Sequence, residues 1–334
     1  VIIKTYRRIT KMSKGNLLSV RDDVRVVDAT LRDGGLCNDF YFTDAFVKDL
    51  YKNNVNAGVD YMEFGYKASK EMFSPDKFGK WKFCDDADIR KVVGENKTPM
   101  KIAVMADVGR CNYKQDIHPK KESPVDLIRI ATYINTIPVA CEMIEHCHKL
   151  GYETSINIMA ISKNKTEDIC AALETFGKTP VDTFYIVDSY GAYYPEQIRK
   201  TSQLYLEYAN KYKKNVGIHA HNNQSLAFAN TIDALQEGVS YLDATVMGMG
   251  RGAGNCQSEL LIGFLKNPKY NVEPILAQIE EHMLKLKEEG VKWGFDIPYI
   301  LTGQRNSHPR TAIAFQKENR TDYRQLRLDL LDME

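Results

Sequence analysis

Three short stretches of this chain carry side chains that can do chemistry together. Ile218-His219-Ala220-His221-Asn222-Asn223 places two imidazoles two residues apart, after an apolar run and before a helical pattern. In a strand, side chains at i and i+2 share a face, so both rings can approach one metal ion. Asp28-Ala29-Thr30-Leu31-Arg32-Asp33-Gly34-Gly35 sets an arginine beside a carboxylate at another strand end. Gly248-Met249-Gly250-Arg251-Gly252-Ala253-Gly254-Asn255 is a loop whose glycines permit close backbone approach. Asp33, His219 and His221 make a two-histidine, one-carboxylate ligand set that leaves positions open for substrate oxygens and water. Asn255 is a weaker ligand or a holder of bound water. A metal there can chelate the carbonyl and carboxylate of a 2-oxo acid and stabilise an enolate as a Lewis acid. Arg32 can neutralise the charge that builds on the enolate oxygen.

Taken singly, each stretch has a plainer explanation. An isolated H-x-H is usually incidental, an Arg-Asp pair is usually a surface ion pair, and a glycine-rich loop is usually a turn. What favours the chemical reading is their common position at predicted strand ends. Short, β-branched, apolar segments at Val24–Thr30, Val59–Phe64, Lys101–Ala106, Leu127–Thr132, Thr154–Met159, Thr183–Val187, Val216–Ala220 and Tyr241–Thr245 read as strands. Helical patterns lie between them, clearest at Asp44–Asn56, Val139–Leu150, Thr166–Phe176, Pro195–Tyr212 and Ser225–Glu237. Gly151 and Gly238 stand at helix stops. Strict βα alternation demands parallel strands, and eight units in roughly 240 residues predict a (β/α)8 TIM barrel. An open doubly wound sheet is the rival, but the segment after the first strand is not GxGxxG. The expected organisation is an N-terminal leader over 1–22, a barrel over 23–266 and a C-terminal helical extension over 267–334.

Barrel active sites lie at the C-terminal ends of the strands. That rule adds Lys67, Tyr133, Ser189 and Tyr190 as expected substrate-pocket residues. Tyr299, in the extension, could reach back as a catalytic group. Bulk composition narrows the class. A net charge of +1 gives no field favouring nucleic acid or a membrane surface. No window approaches the roughly 20 apolar residues of a membrane span. The seven cysteines are odd in number and scattered, with no CxxC, so they read as reduced thiols of a cytoplasmic protein.

The motifs Asp28-x-Thr30-Leu31-Arg32-Asp33-Gly34, His219-x-His221-Asn222 and Gly248-x-Gly250-x-Gly252-Ala253-Gly254-Asn255 resemble the signatures of the DRE-TIM metallolyases. This superfamily includes 3-hydroxy-3-methylglutaryl-CoA lyase, isopropylmalate and homocitrate synthases, transcarboxylase subunits and 4-hydroxy-2-oxovalerate aldolase. The resemblance covers about residues 24–265. It looks closest to the aldolase, through Arg129-Ile130-Ala131-Thr132, Val187-Asp188-Ser189-x-Gly191-Ala192 and Ser225-Leu226-Ala227-x-Ala229-Asn230.

The resemblance implies manganese or magnesium on Asp33, His219 and His221. It implies a lyase that cleaves or forms a C–C bond of a 4-hydroxy-2-oxo acid through a metal-bound pyruvate enolate. It also implies a small-molecule 2-oxo acid substrate and, in association, a homo-oligomer or an aldehyde dehydrogenase partner. The aldolases carry a histidine three residues after the metal-binding aspartate, and here that residue is Leu36. Where they carry a histidine after Ala131-Thr132, this chain has Tyr133. The rivals are a Claisen-type acyl-CoA:2-oxo acid acyltransferase and a non-catalytic metal-binding barrel subunit.

Overall fold

The computed structural model describes residues 18–333. Eight strands, β1 Arg25–Asp28, β2 Tyr61–Tyr66, β3 Lys101–Asp107, β4 Leu127–Thr132, β5 Glu153–Ile158, β6 Thr183–Asp188, β7 Asn215–Ala220 and β8 Tyr241–Ala244, run parallel. They close in chain order, with β8 pairing back onto β1. Each strand lies on the segment predicted for it. The boundaries move by a few residues at most, because strand ends are set by pairing registers that the sequence does not display.

The crossover helices form for the reasons visible in the pattern. Pro195–Tyr212 starts on a proline and stops at Lys213, which sits in the left-handed region at φ 57°. It buries Ile198, Ser202, Tyr205 and Ala209, one stripe at helical spacing, against the barrel. Asp44–Ala57 starts on Thr43, whose hydroxyl accepts from the Phe46 amide at 3.2 Å. At the N-terminal ends of alternate strands, one carboxylate caps the neighbouring strand's edge. Asp60, Asp126 and Asp182 accept from the amides of Val26, Ile102 and Thr154 at 2.9, 2.9 and 2.8 Å.

The barrel interior is layered by the two-residue period of its strands. Tyr61, Leu127, Thr183 and Tyr241 open the four even strands. Two residues further on stand Glu63, Arg129, Tyr185 and Asp243, all buried. This second set touches across the barrel: Arg129 reaches both Glu63 and Asp243, and its guanidinium lies 4.3 Å from the centre of the Tyr185 ring. Gly217 on β7 makes the room, because a Cβ there would meet the Tyr185 ring at 2.5 Å. The centre of this barrel is therefore ionic, held by paired charges rather than by branched aliphatics.

Within Asn271–Glu289, whose pattern predicts one or two charged helices, Glu273–Glu288 forms one helical run interrupted by a π turn at Ile279–Met283. Helices Ile297–Gln304, Arg310–Lys317 and Tyr323–Asp332 follow. They cross the C-terminal mouth. Gly303 packs against Asn223 and Gln224, and the Asn306 side-chain amide donates to the Ser162 carbonyl at 2.8 Å. Residues 1–17 of the expected leader lie outside the described residues. Leu18–Val20 forms a single turn, and the Ser19 carbonyl accepts from Lys266 at 2.6 Å.

Candidate metal centre

Three local structures meet at the C-terminal mouth. After β1 the chain enters a short helix, Thr30–Gly34, which carries Arg32 and Asp33 inward. Thr30 fixes it: its hydroxyl donates to Asp28 and accepts from the Val246 amide at 2.9 Å, tying the β1 end to the β8 end. His219 lies on β7 and His221 just beyond it, the rings edge-to-face with centres 5.0 Å apart. The loop after β8 returns Asn255 to pair with His221, and the Asn222 amide donates to the Gly254 carbonyl at 2.8 Å. A Cβ at Gly250 would collide with the Asn255 amide and the Asp33 carboxylate, so only glycine fits there.

One ligand atom from each of Asp33, His219 and His221 lies within 4.8 Å of the others, and all three residues are buried. The His219 Nδ1 stands 2.9 Å from Asp243 Oδ2, which leaves Nε2 for the centre. A carboxylate behind a ligating imidazole fixes its tautomer and orientation. Arg32 donates through Nε to Glu63 at 2.9 Å and through Nη1 to Asp33 at 2.6 Å, while Nη2 lies 3.4 Å from His219 Nε2. Asn255 donates to the other Asp33 oxygen, and its own Oδ1 is buried with no hydrogen-bond partner.

The electrostatics suit a cation. Within Arg32, Asp33, Glu63, Arg129 and Asp243, two guanidinium groups face three carboxylates, so the buried cluster carries one excess negative charge. A divalent ion would reverse that sign. Burial alone would raise the Asp33 carboxyl; Arg32 and the two imidazoles outweigh it and hold the group well below the usual carboxylate range. Burial, with Arg32, Arg251 and His219 adding to it, pushes His221 down to about 3 against the pull of Asp33. An ionised carboxylate and a neutral imidazole are the forms that ligate. The donor set, the orphaned Asn255 oxygen and the glycine cradle all fit a bound divalent ion.

Arg32, Asp33, Leu36, Tyr66, Met105, Asn157, Met159, Val187, His219, His221 and Arg251 line a cavity of about 360 Å³ over this centre, open to solvent. The other expected pocket residues are not brought to its wall. Lys67 pairs with Asp86 at 2.9 Å, because the register shift between Glu63 and Tyr66 breaks the alternation and turns Tyr66 to the cavity instead. The Ser189 hydroxyl accepts from the Ala160 amide at 2.8 Å. Tyr190 stacks edge-on against His308 at 5.5 Å, and Tyr133 is 53% exposed. The Tyr299 ring packs with Ala253 and Ala312, and its hydroxyl donates to Gln316 at 2.5 Å.

Glu63, Asp243 and Asn157 belong to the site without a motif that points to them, while Tyr66 and Arg251 lie in the strand-end segments of β2 and β8. Glu63 and Asp243 had a signal: each is an acid inside an apolar strand run, at a parity that points it inward.

Fold and centre together define a (β/α)8 barrel with a candidate divalent-metal centre at its C-terminal mouth. Residues 23–284 match the HMGL-like family, and the chain belongs to it. It is 29% identical over 271 residues to the 4-hydroxy-2-oxovalerate aldolase of Bacillus cereus, covering 80% of this chain and 76% of that one. It is 28% identical to the oxaloacetate decarboxylase of Mycobacterium tuberculosis, covering 72% and 69%. Among solved structures, the N-terminal domain of a presumed aldolase from Bacteroides vulgatus matches with a TM-score of 0.73 and 27% identity, over 87% of this chain and 96% of that one. Among the described residues no helix is long and apolar enough to cross a membrane.

Proposed function

We propose that this protein is a lyase that cleaves, or forms, a C–C bond of a 4-hydroxy-2-oxo acid through a pyruvate enolate, using manganese or magnesium. The observation that carries this reading is the buried convergence of Asp33, His219 and His221 beside Arg32. The similarity to a protein named 4-hydroxy-2-oxovalerate aldolase supports the reaction class. Held by Asp33, His219 and His221 with Asn255 adjacent, the ion supplies Lewis acidity toward a 2-oxo carbonyl.

The chain's own residues do the rest. Asp243 keeps the His219 ring in place. Arg32, locked by Glu63 and Asp33, turns Nη2 toward the centre, where negative charge on the enolate oxygen builds. Such a fixed donor contributes roughly 10²–10³ in kcat. In cleavage the C3–C4 bond breaks, its electron pair becomes the enolate, C4 leaves as an aldehyde and the 4-hydroxyl proton passes to a base. The enolate then takes a proton at C3. Leu36 lines the cavity and can do neither. Tyr66 is the wall's one phenol, and among the described residues no hydrogen bond engages its hydroxyl. Burial, only partly offset by Arg32, raises its pKa, so it stands protonated and suits donation to C3.

The apolar Leu36 favours a second reading. Decarboxylation of a 2-oxo diacid passes the C3–C4 electron pair to the same enolate and releases carbon dioxide, so it needs only the proton at C3. A relative named oxaloacetate decarboxylase is in keeping with it. Pyruvate release, coupled to lactate dehydrogenase, from 4-hydroxy-2-oxo acids and from oxaloacetate, with and without manganese, tests both. Manganese-dependent pyruvate is expected; none from any of them refutes the lyase reading. Tyr66→Phe should lower kcat about 10²-fold or more while leaving bound metal unchanged. An unaltered kcat removes Tyr66 from the chemistry.

A further inference from the structure

The cavity holds a second guanidinium whose charge no carboxylate answers among the described residues. Arg32 is committed to Asp33 and Glu63. Arg251 lines the same cavity from the loop after β8. Its one hydrogen bond among the described residues runs from Nη2 to the Ser189 carbonyl at 3.4 Å, near the outer limit of a useful bond. Its Nε is buried with no partner. No carboxylate pairs with this half-buried guanidinium among the described residues, whereas the buried Arg129, Glu63, Asp243 and Lys67 are all paired. An unanswered buried N–H is costly to keep, and a site built for an absent ligand is a standard reason for keeping one.

The surroundings are of one sign. The extension brings His308 and Arg310 to the same side of the mouth, with His308 stacked on Tyr190. Burial, then Arg251 and Arg310, push the His308 imidazole down to about 4, which reports the closeness of both guanidinium groups. Arg310 has no ion pair among the described residues either. Gly250 sits against Asp33 and Arg251 is the next residue, so the guanidinium starts one side-chain length from the metal ligands.

We infer that Arg251 binds a second carboxylate of the substrate, and that the substrate class is a 2-oxo acid with a distal carboxylate. This assignment rests on the lyase reading and refines it. A guanidinium presents paired N–H groups in the geometry of a carboxylate and holds it in one orientation. The metal-capable groups and Arg251 line one cavity that opens to solvent, so a diacid held at the centre has Arg251 on the same wall. A guanidinium on a leaving carboxylate would hold charge where decarboxylation must lose it. The assignment therefore favours an aldol substrate whose second carboxylate departs with the aldehyde fragment, giving pyruvate and an aldehyde acid.

Isothermal titration of the manganese-loaded protein with 2-oxoglutarate and 2-oxopentanoate isolates this carboxylate, because the two acids share a five-carbon chain and differ at its end. Wild type should bind the diacid at least tenfold more tightly. Arg251→Gln should weaken the diacid at least tenfold more than the monoacid, and Arg251→Lys should restore part of the difference. Circular dichroism melting of each variant confirms folding. Equal wild-type affinities, binding of neither acid, or an equal loss of both in Arg251→Gln overturns the assignment. Pyruvate release from 4-hydroxy-2-oxoglutarate and 4-hydroxy-2-oxopentanoate, run in parallel, separates the two claims. Discrimination in binding with no pyruvate from either defeats the lyase reading and keeps Arg251. Pyruvate from both at equal kcat/KM defeats Arg251 alone.

Discussion

The two mouths of the barrel hold cavities of opposite electrostatic condition. The N-terminal cavity is the larger, about 550 Å³, and includes Tyr61, Lys101, Glu153, Tyr185 and Tyr241 in its wall. Its charges are answered: Lys101 pairs with Glu153, and the second Glu153 oxygen accepts from the Tyr61 hydroxyl at 3.0 Å. The C-terminal cavity is smaller, about 360 Å³, yet its wall carries three metal-capable groups and an arginine with no carboxylate partner among the described residues. Volume therefore misidentifies the working end. Three metal-capable groups gathered beside an arginine without a carboxylate partner among the described residues mark it.

Mutations at the two ends should break this contrast in order of size. His219→Ala should abolish bound divalent metal and lower manganese-dependent pyruvate formation at least about 10³-fold, since it removes a ligand and the imidazole that faces Arg32. Metal content by mass spectrometry beside the coupled assay checks it, and full turnover without metal refutes it. Asp243→Asn keeps the ligands but loosens the ring behind one of them, so metal affinity should fall about 10- to 100-fold. Titration with manganese reads this directly. Part of Asp243's pairing with Arg129 is lost too, so melting must show the variant folded.

A smaller effect is expected from pH. Burial holds His221 at about 3 in the folded protein against 6.5 for the free side chain. The folded chain binds fewer protons there than the unfolded one. Its contribution to stability is thus complete above pH 6.5 and lost as the pH falls toward 3. Metal-free wild type should lose melting temperature across that window more steeply than His221→Gln, and parallel curves would contradict this. Lys101→Ala, at the paired mouth, should change neither metal content nor turnover. A marked loss of activity there would mean that the larger cavity also works.

Much of this molecule could be read without coordinates. The period of two in eight apolar runs, and the helices between them, is local physics, and it determined the barrel. His219 and His221 were legible because i and i+2 on one strand must share a face, and Asp33 because it directly follows a strand. The DRE-TIM resemblance, carried by motifs at three strand ends, pointed to the family that residues 23–284 match. Only the tertiary structure decided which side chains meet. Glu63, Arg129 and Asp243 come from three strands far apart in sequence, and their pairing depends on barrel closure and register. Lys67 yields the inward place to Tyr66 because the β2 register shifts between Glu63 and Tyr66, an irregularity that simple alternation does not display. Tyr299 is held by Gln316 rather than at the cavity. Local spacing specifies what a residue can do on its own element; which partner answers its charge is settled only when the strands close.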